Sequence, residues 1–155
     1  MGKKKLKYIV RLMQEKDIKG VAAVEAESFP FPWPESIFTD ELTNPLAIYL
    51  VLEYQDEVIG YAGFWLVLGE AQVTNIALLQ NFRGKGLGRM LVQSLIDKAK
   101  NDGAETIFLE VRRSNILAQE LYKKLGFVML GVREGYYQDS GEDAFTMQKD
   151  LEKDG

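Results

Sequence analysis

A glycine-rich loop lies in the middle of the chain and leads directly into an amphipathic pattern. Its glycines are Gly84, Gly86 and Gly88, three within five positions. Apolar residues then recur at three- and four-residue steps, which predicts a helix: Leu87, Met90, Leu91, Leu95, Ile96 and Ala99. Amides at a helix N-terminus attract anions because they lack partners within the helix and lie at the positive end of its dipole. Glycines alone would indicate only a turn, but this context predicts a phosphate-binding loop.

The spacing of this loop excludes two common nucleotide-binding motifs. A Walker A loop requires Ser or Thr after its Gly-Lys pair, whereas Gly86 follows Lys85. The dinucleotide fingerprint requires a glycine where Arg89 stands. The phosphate that the loop would hold therefore belongs to another kind of ligand.

The chain has 155 residues and contains neither cysteine nor histidine. This length suits one domain with a single core, so we expect one domain over residues 1–155. Disulfides and thiolate metal sites are excluded, and the commonest metal ligand and general base are missing. We therefore expect no metal, and any acid–base chemistry must use carboxylates, tyrosine, lysine or the backbone.

The net charge of -4 and the pI near 5.0 argue against nucleic acid as a direct partner, because phosphate binding usually needs a basic surface. The first residues are basic but lack the apolar run of a signal peptide. Later segments fall short of the uninterrupted apolar length of a membrane helix. We expect a cytoplasmic protein without membrane contact.

The apolar pattern predicts a mixed α/β fold in which strand–helix–strand units follow a run of strands. Strands are predicted at residues 6–12, three times within 47–78 as an antiparallel meander, at 105–112 and, as a closing pair, at 127–137 and 142–151. Helices are predicted at residues 16–29, 35–42, 87–99 and 114–127. Turn residues at 55–57 and 69–70 separate the strands of the meander.

The spacing Arg83-x-x-Gly86-x-Gly88 resembles the pyrophosphate loop of the GCN5-related N-acetyltransferase (GNAT) family, whose members bind acetyl-coenzyme A (acetyl-CoA). The segments FPWPE, NIAL, LEVRRSNILAQELYKKLGF and REGYYQDSGEDAFTM resemble the branch of this family that acetylates the N-terminal alanine of a small-subunit ribosomal protein. The resemblance spans most of residues 29–148. It implies a single-domain α/β GNAT fold with a mixed, largely antiparallel central sheet, helices on both faces, and a splay near residues 74–78 where the cofactor enters.

The resemblance also implies which residues contact acetyl-CoA. Backbone groups of Ile76 and Leu78 would pair with the pantetheine arm, an amide near Leu78 would face the thioester oxygen, and the loop amides would hold the diphosphate. The full set is Ile76, Ala77, Leu78, Arg83, Gly84, Lys85, Gly86, Leu87, Gly88, Arg89, Asn115 and Tyr122. Two alternatives stay open: the side chains of Ile76 and Leu78 suit a core strand, and Asn115 equally suits a helix N-cap.

Glu110 and Tyr122 are the predicted catalytic residues. Glu110 is acidic within an otherwise apolar strand, where a charge is costly unless it serves a purpose. The resemblance implies that Glu110 is the general base for the acceptor amine and Tyr122 the general acid for the departing CoA sulfur. The alternatives are an ion pair of Glu110 with Arg112 or Arg113, and core packing of the Tyr122 ring. With no cysteine, and no serine beside a base, we expect direct transfer without an acyl-enzyme.

Trp33, Glu35, Tyr136 and Tyr137 are the predicted contacts of the acceptor, in segments that resemble the acceptor loops of this branch. We expect a protein N-terminus as the partner. An α-amino group with a pKa of about 8 is roughly one-tenth neutral at pH 7, against less than about a thousandth for lysine. Four alternatives stay open. The acceptor could instead be a small-molecule amine, a lysine or a broader range of N-termini, or the protein could be a non-catalytic module that binds acyl-CoA. We expect a monomer or a weak dimer.

Overall fold

A computed structural model describes residues 7–151 of the chain. Its strands are β1 Tyr8–Leu12, β2 Ala47–Tyr54, β3 Glu57–Val67, β4 Glu70–Leu78, β5 Thr106–Arg112, β6 Val128–Arg133 and β7 Ala144–Asp150. Its helices are α1 Ile18–Ser28, α2 Glu35–Thr43, α3 Leu87–Asn101 and α4 Ile116–Lys124, with short 3-10 turns at Glu15–Asp17 and Gln80–Phe82. Residue 6, where the first predicted strand begins, lies outside the described residues.

The seven strands form one sheet in the order β1-β2-β3-β4-β5-β7-β6. Neighbouring strands are antiparallel except β4 and β5, which are parallel and are connected through α3. The prediction of a mixed, largely antiparallel sheet is therefore confirmed. The predicted closing pair of strands is also present, but β7 inserts between β5 and β6.

Residues with positive φ form the turns of the β2–β3–β4 meander. Gln55 and Asp56 have φ values of 52° and 64°, the two positive values that a two-residue type I′ hairpin turn requires. Leu68 and Gly69 form the next turn with φ values of 49° and 81°. Both turns lie where the sequence predicts a break between strands.

Helices cover both faces of the sheet, as predicted. The side chains of β2 show the division, because successive residues of a strand point to opposite faces. Tyr49 and Val51 join the core beneath α1 and α2, together with Val21, Phe38 and Tyr61. Leu50 and Leu52 join the core beneath α3 and α4, together with Phe64, Leu91, Leu95 and Tyr122. The sheet is thus the middle layer between two apolar cores.

Strands β4 and β5 separate partway along the sheet. Their pairing is limited to residues 70–72 and 106–108. Beyond that point β4 stays paired with β3 as far as Leu78, and β5 stays paired with β7 as far as Arg112. A register shift beside Gly63 inserts Thr74 as an extra residue in β4, and such a bulge bends the strand that carries it. The two strands therefore leave a split in the sheet at the place where the resemblance implies a splay.

Strand β6 is shorter than the sequence predicts. It ends at Arg133, and Gly135, with φ of 59°, turns the chain into a loop over residues 134–143. Within this loop the N–H of Tyr137 donates to the carbonyl of Glu142 at 3.1 Å. Tyr136 and Tyr137 therefore lie on a loop and not on the predicted strand.

Candidate active site

A cleft of about 370 Å³ occupies the split between β4 and β5. Its walls come from both strands, from α4 and from two loops, residues 29–34 and 134–143, which we name the cleft loops. Seven of the predicted site residues line it: Trp33, Ile76, Glu110, Asn115, Tyr122, Tyr136 and Tyr137. A wider groove of about 680 Å³ lies elsewhere, over Arg11, Asp17 and Glu53, and none of the predicted site residues line it.

Glu110 enters the cleft from the face of the sheet that α1 covers. Its neighbours Leu109 and Val111 belong to the core beneath α3 and α4, so the alternation of the strand turns Glu110 to the opposite face. Its Oε1 atom lies 3.3 Å from Nε of Arg133, and its side chain is 20% exposed. The predicted alternative of an ion pair with Arg112 or Arg113 is wrong, because those side chains pair with acids of the 134–143 loop instead.

Tyr122 lies on the other side of the cleft, on α4. Its ring meets Phe127 edge-on at 5.8 Å and is buried in the core beneath α3 and α4. Burial raises the pKa of Tyr122 to about 12, so the phenol is protonated at neutral pH. The core-packing interpretation is confirmed, and the same residue lines the cleft. A buried ring with a protonated hydroxyl at a cleft is compatible with proton donation.

Asn115 caps α4. Its Oδ1 atom accepts a hydrogen bond from the N–H of Ala118 at 3.1 Å, so the capping alternative is confirmed. Gln119, one turn further on and buried, donates from Nε2 to the carbonyls of Arg112 at 3.0 Å and Arg113 at 2.9 Å. These bonds fix the start of α4 against the end of β5. Asn115 and Tyr122 are thereby held in a fixed relation to Glu110.

The glycine loop, residues 83–88, connects the end of β4 to α3. Gly84 and Gly86 have φ values of 80° and 79°, in the left-handed region that favours glycine. Apart from their chain neighbours, no atom of residues 7–151 lies within 4 Å of where a Cβ of either residue would stand. Nε of Arg83 donates to the carbonyl of Leu78 at 3.1 Å, which ties the loop to β4. The loop thus presents uncovered backbone at the N-terminus of a 15-residue helix, an arrangement that fits a diphosphate.

The other predicted cofactor residues lie close to this loop in sequence but differ in exposure. Lys85 and Arg89 are exposed, and Nζ of Lys85 lies 5.6 Å from the ring centroid of Phe82. Ala77 and Leu87 are buried. The side chain of Leu87 therefore belongs to the core, which leaves its backbone as the part that could meet a ligand.

The 134–143 loop is fastened over the end of β5 by Arg112. Its guanidinium carbon lies 4.0 Å from the ring centroid of Tyr137, and its NH2 and NH1 atoms donate to the two carboxylate oxygens of Asp139 at 2.8 and 3.1 Å. These hydrogen bonds hold the pKa of Asp139 below its ordinary value. Burial raises the pKa of Tyr137 to about 12, with Arg112 opposing the rise. Tyr136 stands edge-on to Tyr137 at 5.1 Å and is 46% exposed.

The 29–34 loop is held by a residue that the sequence did not single out. Glu25 of α1 is 2% exposed, and its Oε2 atom accepts a hydrogen bond from the N–H of Trp33 at 2.9 Å. Its only sequence signal is its spacing of four residues from the buried Val21. Glu35, in contrast, is exposed at the first turn of α2 and does not line the cleft.

The sequence model described as "Acetyltransferase (GNAT) family" matches residues 18–127. The chain belongs to this family. GNAT enzymes use acetyl-CoA as the acetyl donor, and the uncovered amides of the glycine loop suit its diphosphate. Among residues 7–151, no group of three or more acidic side chains is arranged to hold a metal ion. No helix in the same part of the chain has the length and apolar character needed to span a membrane.

Three relatives place the chain within the GNAT family. A Bacillus subtilis protein, named as a candidate ribosomal protein bS18-alanine N-acetyltransferase, is 46% identical over 92% of this chain and 95% of its own. N-alpha-acetyltransferase RimI of Mycobacterium tuberculosis is 36% identical over 86% of this chain and 87% of its own. The crystal structure of the Escherichia coli ribosomal-protein-S18-alanine N-acetyltransferase has a TM-score of 0.87 and 31% identity, covering 96% of this chain and 97% of that one. The chain is thus a RimI-like N-acetyltransferase.

Proposed function

We propose that this enzyme transfers the acetyl group of acetyl-CoA to the α-amine at a protein N-terminus, in the first place the N-terminal alanine of a small-subunit ribosomal protein. The observation that carries the proposal is the placement of Glu110 and Tyr122 on opposite faces of the split between β4 and β5. A base on one face and an acid on the other suit an amine that enters from one side and a thiol that leaves from the other. The names of the similar proteins support the choice of acceptor.

The donor would be held by backbone more than by side chains. The amides of Gly84, Gly86 and Gly88, with the first turn of α3, would hold the diphosphate, and Arg83, Lys85 and Arg89 would add positive charge. Backbone groups of residues 76–78 on the side away from β3 could pair with the pantetheine arm because β4 has parted from β5 there, although the carbonyl of Leu78 already accepts from Arg83. The capping residue Asn115 would contact the same arm.

Glu110 removes a proton from the acceptor α-ammonium, directly or through one water. The amine nitrogen then bonds to the thioester carbonyl carbon, and the carbon–sulfur bond breaks. A backbone N–H near Leu78 stabilises the negative charge that develops on the carbonyl oxygen. The hydroxyl of Tyr122 gives its proton to the departing sulfur, and the resulting phenolate takes back the second proton that the nitrogen loses as the amide forms. Glu110 releases the first proton to solvent, so the products are an N-acetyl amide and a neutral thiol. An α-ammonium of pKa about 8 gives up its proton at neutral pH far more readily than a lysine ammonium of pKa about 10.4, which favours the N-terminal amine as acceptor.

The acceptor peptide would lie between the two cleft loops. Trp33 and Tyr137 are half-buried at the cleft, and Tyr136 stands at its exposed edge. Glu35 lies outside the cleft, so we assign it to a later, basic residue of the acceptor and not to the amine itself. We place the reaction in the cytoplasm, where ribosomal proteins are made.

The deciding experiment measures transfer from acetyl-CoA to two hexapeptides by mass spectrometry. One peptide begins with the free alanine of the ribosomal protein, and the other is blocked at its α-amine and carries a lysine. Acetylation confined to the free α-amine supports the proposal. Acetylation of the lysine peptide, or of neither peptide by protein that binds CoA, contradicts it.

A further inference from the structure

Glu25 is a buried carboxylate that the proposed chemistry does not use. It accepts hydrogen bonds from three different elements: the N–H of Trp33 at 2.9 Å, the hydroxyl of Tyr61 on β3, and Nδ2 of Asn75 on β4. Burial and the neighbouring Glu25 raise the pKa of Tyr61, so its phenol remains a donor. Every one of these contacts brings an N–H or O–H to the carboxylate, which can only accept.

This arrangement fixes the orientation of the Asn75 side-chain amide. Nδ2 lies 3.3 Å from Oε1 and 3.5 Å from Oε2 of Glu25. The reverse orientation would place the Asn75 carbonyl oxygen against a carboxylate, where two acceptors repel each other. Within residues 7–151 the structure gives Oδ1 of Asn75 no donor, although Asn75 lines the cleft. Oδ1 is therefore an acceptor available to a ligand in the cleft.

Asn75 and Glu110 share one face of the split sheet. Asn75 contacts α1 through Glu25, and Glu110 points to the face that α1 covers, since its strand neighbours Leu109 and Val111 point to the other. One residue is on β4 and the other on β5, so the two side chains flank the split from opposite sides. An amine that donates one N–H to Glu110 has further N–H groups that need acceptors. Oδ1 of Asn75, on the opposite wall of the cleft, is one such acceptor.

We propose that Asn75 binds the acceptor amine, its Oδ1 accepting one N–H while Glu110 takes another, and that Glu25 is the positioning residue that holds the amide in this orientation. The inference rests on the proposed function and adds a second contact for the amine. With two N–H groups held in fixed directions, the orientation of the nitrogen is fixed, and its lone pair would point toward the thioester carbon. Glu25 thus acts on the acceptor without touching it.

Glu25→Gln tests the positioning role in steady-state kinetics with acetyl-CoA and the alanine-initiated hexapeptide. The new amide can turn its own NH₂ toward Asn75 and so reverse the Asn75 side chain. We expect the peptide KM to rise about fivefold to tenfold, which corresponds to the loss of about one hydrogen bond. The acetyl-CoA KM should stay within about twofold of the wild-type value. Glu41→Gln is the matched control: Glu41 is 8% exposed, accepts from Nε1 of Trp65 at 2.9 Å, and does not line the cleft. Equal effects of the two variants, or equal rises in both KM values, overturn the proposal.

A compensating pair separates this role from a purely structural one. Asn75→Asp alone places two carboxylates together and should raise the peptide KM. Combined with Glu25→Gln it should restore the peptide KM to near the wild-type value, because the introduced glutamine can donate to the introduced aspartate and leave a carboxylate oxygen for the amine. A double variant no better than the worse single variant contradicts the proposal. Should Glu25→Gln fail to fold, Asn75→Ser, which leaves α1 intact, must still raise the peptide KM selectively.

The wild-type protein is assayed first, so that a failure of the proposed function can be told apart from a failure of the role proposed for Asn75. Acetylation of the lysine peptide alone would refute the proposed function, and the same variants with that peptide would still decide the role of Asn75. Transfer to neither peptide contradicts both proposals.

Discussion

The carboxylate of Glu110 lies 3.3 Å from Arg133 although β7 separates their strands in the sheet. The Arg133 side chain is 59% exposed, and an exposed ion pair of this kind stabilises a protein by at most about 1 kcal/mol. Displacing Arg133 from Glu110 therefore costs little, as the proposed binding of an acceptor ammonium requires. The ion pair keeps the Glu110 carboxylate at the cleft, but it contributes too little stability to explain Glu110 as a structural residue.

Glu110→Gln should lower kcat about 100-fold or more, because the amide keeps the shape of the side chain but cannot remove a proton. Arg133→Gln breaks the same ion pair from its other end and should lower kcat less than about threefold. Initial rates at saturating acetyl-CoA and peptide, with acetyl-CoA binding by calorimetry, measure both. Equal losses in the two variants would show that Glu110 serves only the ion pair.

Tyr122→Phe should lower kcat by about two orders of magnitude while the peptide KM stays within about twofold, because the ring packing survives and only the proton donor is lost. Since burial raises the pKa of Tyr122 to about 12, the wild-type phenol stays protonated throughout pH 6–10. The wild-type kcat should therefore show no fall between pH 8 and 10. If Tyr122→Phe had the wild-type kcat, Tyr122 would not be the proton donor and its role would be limited to core packing.

The parts of this protein that could be predicted from sequence are those that local chemistry decides. The glycines and the apolar spacing placed α3 and its loop, and the break between two apolar runs placed the turn at Gln55–Asp56. The positive φ values of that turn were not predicted. The order β5-β7-β6 depends on pairing between distant segments, so the partner of Glu110 could not be predicted. Glu25 was missed because an acid in a helix is usually solvated, and only the donors of three other elements make its burial stable.

Arg112→Lys should raise the peptide KM about fivefold with little change in the acetyl-CoA KM. Lysine keeps the charge but cannot bond both oxygens of Asp139 and stack on Tyr137 at once. Arg113→Lys is the control, because Arg113 also pairs with an acid of the loop, Asp143 at 3.1 Å, but is 63% exposed and does not line the cleft. A similar KM for both variants would mean that Arg112 does not position Tyr137 for the acceptor.

Gly86→Ala should weaken acetyl-CoA binding about tenfold and also destabilise the protein by about 1–2 kcal/mol. The destabilisation arises because φ of 79° is strained for any residue with a Cβ, and the affinity falls because a displaced loop amide loses a hydrogen bond to a charged group. Gly103→Ala separates the two effects. Gly103 follows the C-terminus of α3 with φ of 97°, and in the described part of the chain nothing beyond its neighbours lies within 4 Å of its Cβ position, so a similar strain arises far along the helix from the loop. Thermal unfolding should show similar losses of stability in the two variants. Calorimetric titration with acetyl-CoA should show a loss of affinity in Gly86→Ala alone. Equal affinities of the two variants would refute the assignment of the glycine loop to the diphosphate.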